Sequence, residues 1–208
     1  MIKANHKKFF VWFIRFYTAI NLKIYFKKVV VEGELSLPRD RAVLLIGNHF
    51  SWWDGFFAYY LNYTLFHRKF HVMMLEEQLV PRMFLNKAGA YSIKRASRTV
   101  IDSINYSSAL LSQKDNLVVV FPQGEIESQY RFPVKFERGI ERILRNVKGE
   151  ITIVFYAATV DWFSSKRPVL TFRLCEYKPT STPTHSDIED AYNRHLEETI
   201  SNQFLIKL

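Results

Sequence analysis

Cysteine is nearly absent from this 208-residue sequence, and its scarcity excludes several classes of protein. The single cysteine, Cys175, has no partner for an intrachain disulfide or for a cysteine-rich metal site. It lies in the apolar segment "VLTFRLCEY", which predicts a thiol packed in the core. A reducing, cytoplasmic setting fits this usage of cysteine.

Glycine and proline are also scarce, with seven of each, which argues against a low-complexity chain. The longest charge-free stretches near the start, Phe9–Ile14 and Phe16–Leu22, are far shorter than the ~20 apolar residues of a membrane-spanning helix. The small-residue cleavage site of a signal peptide is missing as well. Because 48% of the residues are hydrophobic, the chain can still build a sizeable core in one domain.

Basic residues outnumber acidic ones, 29 to 20, which gives a net charge of +9. Such a chain is attracted to nucleic acid, to an anionic membrane surface or to an anionic substrate. Aromatic residues make up 16% of the sequence, and many lie near basic residues, which favours the lipid interface. No helix-turn-helix, zinc-finger or RNA-binding signature accompanies the charge, so we expect no nucleic-acid partner.

Residues 1–28 are predicted to form an amphipathic interfacial helix ahead of an α/β domain at residues 29–208. At 100° per residue, one arc of the helix Lys7–Lys28 is polar and the remaining surface is mostly aromatic and aliphatic. The polar arc comprises Lys7, Lys8, Arg15, Thr18 and Asn21. This pattern leaves two placements open. The helix lies on a membrane surface, which its flanking lysines favour, or it packs on the domain.

The remainder of the chain alternates between strand and helix patterns. Strands are predicted over residues 41–48, 70–75, 90–95, 116–122, 151–160 and 169–177. Helices are predicted over residues 53–66, 80–88, 97–113 and 137–146, and from Ser186, which has capping-box spacing to Glu189. This alternation indicates a single α/β domain whose largely parallel, mixed sheet is flanked by helices.

In such folds ligand sites lie beyond the carboxyl ends of the strands. Three polar segments follow predicted strands, so we expect them to meet in one cleft. They are His49, the pair Lys94-Arg95, and "PQGE" at residues 122–125.

The first of these segments, "GNHFSWWDGFF", places a histidine and an aspartate five residues apart at the end of a buried strand. Ser51 is predicted to be the N-cap of the next helix, with Asp54 at its third position. One helical turn rises ~5.4 Å, so the Asp54 carboxylate can reach back to His49. That contact would leave one imidazole nitrogen as a base, whereas the alternative is a capping aspartate and a histidine bonded to backbone. No nucleophile elbow surrounds Ser51.

Four segments in register resemble the motifs of the lysophospholipid and glycerolipid acyltransferases, typified by 1-acylglycerol-3-phosphate acyltransferase. The NH-x4-D motif is present at residues 48–54, and "GAYSIKR" at residues 89–95 matches the pattern G-x-x-x-I-x-R. The motif FPEGTRS is represented by "FPQGEIES" at residues 121–128. The segment "PVKFERG" at residues 133–139 is similar to the lysine-bearing segment of the family.

The resemblance implies acyl transfer from acyl-CoA or acyl-carrier protein to a hydroxyl or amine at a membrane surface, with no cofactor and no metal. It implies that His49 is the general base, that Asp54 orients it, and that Arg95, with Lys94, meets an anionic group. The implied substrate-binding residues are Asn48, Ser51, Gly89, Lys94, Arg95, Phe121, Pro122, Gln123, Gly124, Glu125 and Lys135. We expect a peripheral or monotopic protein at the cytoplasmic face of the inner membrane, with membrane lipids and the acyl donor as partners.

The third motif departs most from the family pattern. Gln123 replaces its glutamate, Glu125 its threonine, and Ile126, followed by Glu127, the arginine associated with the phosphate of the acceptor. The motif thus loses a cation and gains two carboxylates. If both carboxylates face the pocket, they disfavour the binding of an anion there. We therefore hypothesise a neutral or amine-bearing acceptor, such as a lyso-aminoacyl lipid. In a fourth motif Phe155 replaces a proline, and no residue is carried over from it.

One alternative function remains open at this point, and one further candidate site has to be weighed. The altered third motif favours a non-catalytic lipid- or acyl-carrier-binding protein on the same scaffold, which the intact His–Asp pair opposes. His67 and His71 have a metal-compatible spacing for a helix, but they lie at a predicted helix–strand junction without a carboxylate. We therefore predict no metal site there.

Overall fold

A mixed β-sheet lies at the centre of the computed structural model, which describes residues 1–94 and 100–205. Its seven strands are β1 (Lys28–Glu32), β2 (Ala42–Gly47), β3 (Lys69–Leu75), β4 (Ala90–Ile93), β5 (Asn116–Val120), β6 (Ile151–Asp161) and β7 (Val169–Tyr177). Their spatial order is β1-β7-β6-β2-β5-β3-β4, and each neighbouring pair is parallel except the antiparallel pair β6–β7. The predicted α/β domain with a largely parallel, mixed sheet is confirmed.

Helices cover both faces of the sheet. They are α1 (Lys8–Tyr25), α2 (Asp54–Leu61), α3 (Glu76–Leu79), α4 (Met83–Asn86), α5 (Val100–Leu111), α6 (Ile140–Arg145) and α7 (His185–Phe204). Because side chains alternate along a strand, Val43 and Leu45 of β2 pack towards α1 and α2, whereas Leu44 and Ile46 pack towards α5, α6 and α7. Both faces of β2 are therefore buried, which explains its unbroken apolar sequence.

Several predicted boundaries differ from the structure. Strand β1 was not predicted, although its Val29–Val31 run is β-branched. The predicted helix over residues 80–88 is divided, because Pro81 lies in a 3-10 turn, Val80–Arg82, between α3 and α4. The helix predicted over residues 53–66 begins at Asp54 and ends in a π-helical turn, Asn62–Phe66.

The capping predictions are wrong at two helices. Thr184 caps α7 by a reciprocal capping box with Asp187, where Ser186 and Glu189 were expected. Ser51 does not cap α2, because the α-helix begins three residues later, at Asp54. Cys175 is only half-buried against the core, and burial raises the pKa of its thiol to about 11.

Helix α1 packs on the domain through one face and leaves a broad aromatic face exposed. Its buried side chains are Ile14, Thr18 and Leu22, and the Tyr59 hydroxyl donates to Val11 O at 2.8 Å. Thr18, from the predicted polar arc, is thus turned inwards. The exposed large side chains are Phe9, Trp12, Phe13, Phe16, Tyr17, Ile20, Ile24 and Tyr25. Within residues 1–94 and 100–205, no helix is long and apolar enough to cross a bilayer.

Candidate active site

The histidine and the aspartate of the first motif meet at the carboxyl end of β2. Asp54 Oδ2 lies 2.8 Å from His49 Nδ1 and also accepts hydrogen bonds from Phe50 N at 2.7 Å and Ser51 N at 2.8 Å. Three donors therefore hold one carboxylate oxygen in place. Since Nδ1 is engaged by Asp54, Nε2 is the ring nitrogen left to accept a proton.

Asp54 is almost completely buried, whereas the His49 side chain is partly exposed. Burial raises the pKa of the Asp54 carboxyl, and the hydrogen bonds from His49 and the backbone oppose that rise. The Tyr156 ring lies in the same buried layer, and burial, together with the nearby Asp54 charge, raises the pKa of its hydroxyl. The carboxylate is thus fixed in a dry environment, where its interaction with an imidazolium is strong.

The third motif follows β5, which is the parallel neighbour of β2, so the two motifs meet at one edge of the sheet. The Phe121 ring stacks on the His49 ring, with centroids 4.6 Å apart. Gln123 Oε1 accepts from His49 N at 2.7 Å, and Gln123 Nε2 donates to Glu127 Oε2 at 2.5 Å. The chain turns between them at Gly124, whose φ is 73°. These contacts position the histidine from both sides.

A pocket of about 690 Å³ opens beside His49. This volume is within the range of pockets that bind drug-sized ligands. Most of its wall is apolar and comes from α1, α2, β3, β4, α5 and α6, through side chains such as Ile14, Phe56, Met73, Ile93, Ile104 and Ile143. Phe121, Pro122, Gly124 and Glu125 of the third motif line it too. The arrangement suits a long apolar chain whose polar end reaches His49.

Among the described residues, few that line this pocket carry a charge. They are Glu125, Glu137 and Arg138, in addition to His49. Ile126, at the position of the family arginine, also lines the pocket and is 52% exposed. Glu127 is not a free carboxylate at the pocket, because Gln123 and Arg131, at 2.8 Å, engage it. Of the two added acidic residues, Glu125 lines the pocket and Glu127 does not.

The model of the protein family described as Acyltransferase matches residues 28–158, which is more than half of the chain. The chain belongs to the acyltransferase family. The prediction that the chain is an acyltransferase is thus confirmed.

A solved structure resembles this acyltransferase in fold. The crystal structure of the 1-acyl-sn-glycerophosphate (LPA) acyltransferase PlsC from Thermotoga maritima aligns with a TM-score of 0.65, covering 92% of this chain and 79% of that chain. The two sequences are 13% identical, so the likeness concerns the fold. A comparison with curated protein sequences found no match.

Three of the predicted substrate-binding residues have structural roles next to the pocket. Asn48 is buried, donates to Ala158 O at 2.9 Å and accepts from Ala158 N at 2.8 Å, which fixes the end of β2 against β6. The Ser51 hydroxyl accepts from Trp53 N at 3.1 Å. Gly89 has a φ of 119°, and a Cβ there would lie 2.1 Å from Phe70 O. These residues shape the acyltransferase site without lining its pocket.

Two of the predicted cationic residues do not line the pocket. Lys94 is exposed at the end of β4, and Lys135 Nζ forms an ion pair with Glu189 Oε1 at 2.9 Å, which raises the pKa of the lysine. Arg95 lies outside the described residues. Arg138, three residues after Lys135, is the arginine among the described residues that lines the pocket. It was missed, although it lies within the quoted segment "PVKFERG".

A second feature that the motifs did not indicate is a cation–π contact between Arg82 and Trp52, a residue of the pocket wall. The Arg82 guanidinium lies 4.6 Å from the centre of the Trp52 ring. Arg82 Nη1 also donates to Gln78 O and Oε1, at 3.1 and 3.2 Å. Trp52 and Gln78 both line the pocket, so this contact links the turn before α2 to the 3-10 turn Val80–Arg82 at one side of the acyltransferase pocket.

Histidines elsewhere have structural partners. The His71 ring is buried in β3 beside the His6 ring, with centroids 4.8 Å apart, and its Nε2 lies 3.3 Å from Asn116 Oδ1. His67 ends the π-helical turn in a left-handed conformation. Among residues 1–94 and 100–205, no three His, Cys, Asp or Glu side chains are grouped to hold a metal ion.

Proposed function

We propose that this acyltransferase moves a fatty acyl group from acyl-CoA or acyl-carrier protein to the hydroxyl of a lyso-lipid, with His49 as the general base. The observation that carries the proposal is the 2.8 Å contact between His49 Nδ1 and Asp54 Oδ2 beside an apolar pocket. The contact leaves Nε2 facing the place where a hydroxyl and an acyl carbonyl can meet. The apolar wall of the pocket can hold the acyl chain away from water.

In the proposed mechanism His49 Nε2 takes the proton of the acceptor hydroxyl as its oxygen attacks the thioester carbonyl carbon. The Asp54 carboxylate stabilises the imidazolium that forms, because it is held within hydrogen-bond distance of Nδ1. When the tetrahedral intermediate collapses, the carbon–sulfur bond breaks and the imidazolium returns its proton to the thiolate. No covalent acyl-enzyme is required, since the acceptor itself is the activated nucleophile.

The proposed acceptor has a neutral or amine-bearing head group, such as a lyso-aminoacyl lipid. Ile126 offers an anion no charge, and Glu125 at the same wall repels it. Among the described residues, Arg138 is the arginine that lines the pocket, against Glu125 and Glu137. This balance favours an acceptor that carries a positive charge or none.

The proposed place of action is a membrane surface, at the cytoplasmic face of the inner membrane, where the acyl donors are found. The exposed aromatic face of α1 supports a peripheral placement, because aromatic rings partition into the bilayer interface. The Tyr17 ring of this helix stacks on Trp53, with centroids 6.2 Å apart, next to Asp54. Substrates in the membrane would therefore lie close to the His–Asp pair.

The proposal is tested by assaying the purified protein with labelled acyl-CoA and with acyl-carrier protein against a panel of lyso-lipids in vesicles. We expect a diacyl product with at least one donor, and a ~10²–10⁴-fold loss of turnover in His49→Ala. The control is His67→Asn, since His67 is exposed outside the pocket and asparagine tolerates its left-handed backbone. Full activity of His49→Ala would refute the assigned base, and preferential turnover of lysophosphatidate would refute the acceptor class.

A further inference from the structure

Strand β6 carries a hairpin far beyond the edge of the sheet where His49 lies. Gly47, the last residue of β2, is opposite Tyr156, yet β6 continues for five more residues to Asp161. At about 3.3 Å per residue, this extension is roughly 16 Å long. Asp161 pairs with Val169 of β7, and residues 162–168 form the hairpin tip. The tip thus projects from the same edge of the sheet as His49.

Two large aromatic side chains are exposed on the hairpin tip. Trp162 is 54% exposed and Phe163 is 40% exposed. Phe163 has a φ of 46°, a left-handed conformation that is unfavourable for an aromatic residue. The fold therefore holds an apolar ring in water on a strained backbone, and local strain of this kind concentrates at functional positions.

Basic groups surround these rings. Lys166 and Arg167 are exposed on the hairpin tip, and Arg167 Nη1 donates to Lys23 O at 3.0 Å. Lys27 N donates to Pro168 O at 2.8 Å, so the hairpin tip is tied to the end of α1. The exposed side chains of Lys23, Lys27 and Lys28 extend the basic rim, and Asp161 is engaged by Gln203 Nε2 at 2.7 Å.

Further apolar side chains lie on the other side of the hairpin. Gln203, which contacts Asp161, is followed by Phe204 and Leu205, exposed to 81% and 75%. On the α1 side, Ile24 and Tyr25 are exposed next to Lys23. Apolar groups with a basic rim therefore continue from the exposed face of α1, across the hairpin tip, to the end of α7.

We propose that the hairpin tip is a second membrane-inserting element, whose occupant is an anionic lipid bilayer. Trp162 and Phe163 enter the interface, and Lys166 and Arg167 meet the lipid head groups, as aromatic and basic residues do at such surfaces. Charge complementarity favours lipid, because the rim is basic and the chain has a net charge of +9.

The inference deepens the proposed function, on which it rests for the membrane setting of the enzyme. Helix α1 alone can roll about its own axis on a flat surface. A second contact at the hairpin tip fixes the orientation of the domain, and the carboxyl edge of the sheet then faces the bilayer. An acceptor would reach His49 without leaving the lipid phase.

The test measures penetration of the full chain into vesicles of phosphatidylcholine and phosphatidylglycerol, with no acyl donor present. An environment-sensitive fluorophore is attached at Ser164→Cys in a Cys175→Ala background, and at Ser181→Cys as the matched control. Both serines are exposed, but Ser181 follows β7 at the opposite edge of the sheet. We expect a blue shift and quenching by spin-labelled lipids at position 164 only.

A second variant, Trp162→Ala with Phe163→Ala, should lower vesicle partitioning by roughly tenfold while leaving the circular dichroism spectrum unchanged. An aqueous signal from position 164 on vesicle-bound protein would overturn the inference. A blue shift that appears without vesicles when the protein concentration is raised would also overturn the inference. In that case a second copy of the chain, and not lipid, would cover the hairpin tip. Penetration into vesicles is measured without any acyl transfer. A protein that penetrates vesicles but has no acyltransferase activity would therefore support this inference and contradict the proposed function.

Discussion

Gln123 joins the backbone of His49 to the carboxylate of Glu127. Its Oε1 accepts from His49 N at 2.7 Å, and its Nε2 donates to Glu127 Oε2 at 2.5 Å. A glutamate at position 123, as in the family pattern, could accept from His49 but would present a second carboxylate to Glu127. The two departures from the third motif are therefore physically coupled, since Gln123 gives Glu127 a donor that a glutamate at position 123 could not.

The substitution Gln123→Glu should lower the initial rate about tenfold and destabilise the fold by ~1–3 kcal/mol, because it places two carboxylates in contact in a nearly buried site. The double variant Gln123→Glu with Glu127→Gln reverses the two roles, so that an amide at position 127 donates to the carboxylate at position 123, and it should recover most of both losses. Initial rates and urea unfolding of the wild type, both single variants and the double variant measure the coupling. Additive effects would contradict the coupling.

The charge of Asp54 is expected to act on turnover far more than on stability. Asp54→Asn keeps a side chain of the same size and an oxygen that accepts from Phe50 N and Ser51 N, but it removes the charge that stabilises the imidazolium. We expect kcat to fall by about 10²–10⁴ with a nearly unchanged unfolding midpoint. Asp102→Asn, at an exposed aspartate, is the control. Equal loss in both variants would argue against a special role of Asp54.

The head group of the acceptor is expected to depend on position 126. Ile126→Arg restores a cation to the pocket wall, so we expect the ratio of lysophosphatidate to amine-bearing lyso-lipid turnover to rise at least about tenfold. Ile126→Leu keeps the wall apolar and serves as the control. Competition assays with both acceptors in one vesicle population give the ratio directly. An unchanged ratio in Ile126→Arg would indicate that this position does not contact the head group.

The central strands and the His–Asp pair were predictable from local patterns. Strands β2 and β5 are unbroken apolar runs, and β7 was predicted with its observed bounds, Val169–Tyr177. His49 and Asp54 lie five residues apart across a strand end and a helix start, so a contact between them depends on one turn of backbone. A contact of this kind can be predicted from the sequence even where the tertiary fold is not known.

The loop contacts were not predictable, because their partners are distant in the chain. Lys135 was expected at the pocket, but Glu189, 54 residues away, pairs with it. The side chain of Glu127 is directed by Gln123 and Arg131 and not by the local backbone pattern. Strand β1 is five residues long and pairs only with β7 at the edge of the sheet, so its short valine run gave a weak signal after a long helix.

Gly89 is expected to be required for folding and not for chemistry. At its φ of 119°, a Cβ would lie 2.1 Å from Phe70 O and 2.8 Å from His6 Nε2, and a backbone oxygen in β3 cannot move aside. Gly89→Ala should therefore cost at least about 3 kcal/mol of unfolding free energy. Gly55→Ala is the matched control, because no atom lies within 4 Å of its added Cβ, and it should change stability by less than ~1 kcal/mol. Similar unfolding curves for the two variants would contradict this account.

The stability of the fold is expected to fall as the pH falls below the ordinary pKa of histidine. Burial, together with the neighbouring His6, lowers the pKa of His71 from 6.5 to about 3. Between these values the unfolded chain binds a proton that the folded chain excludes. The contribution of His71 is therefore complete above pH 6.5 and is lost towards pH 3, with a slope of about 1.4 kcal/mol per pH unit. His71→Gln removes the titrating ring and keeps a donor for Asn116, so urea unfolding between pH 7 and pH 5 should show a shallower slope. Equal slopes in the two proteins would show that other groups dominate the acid sensitivity.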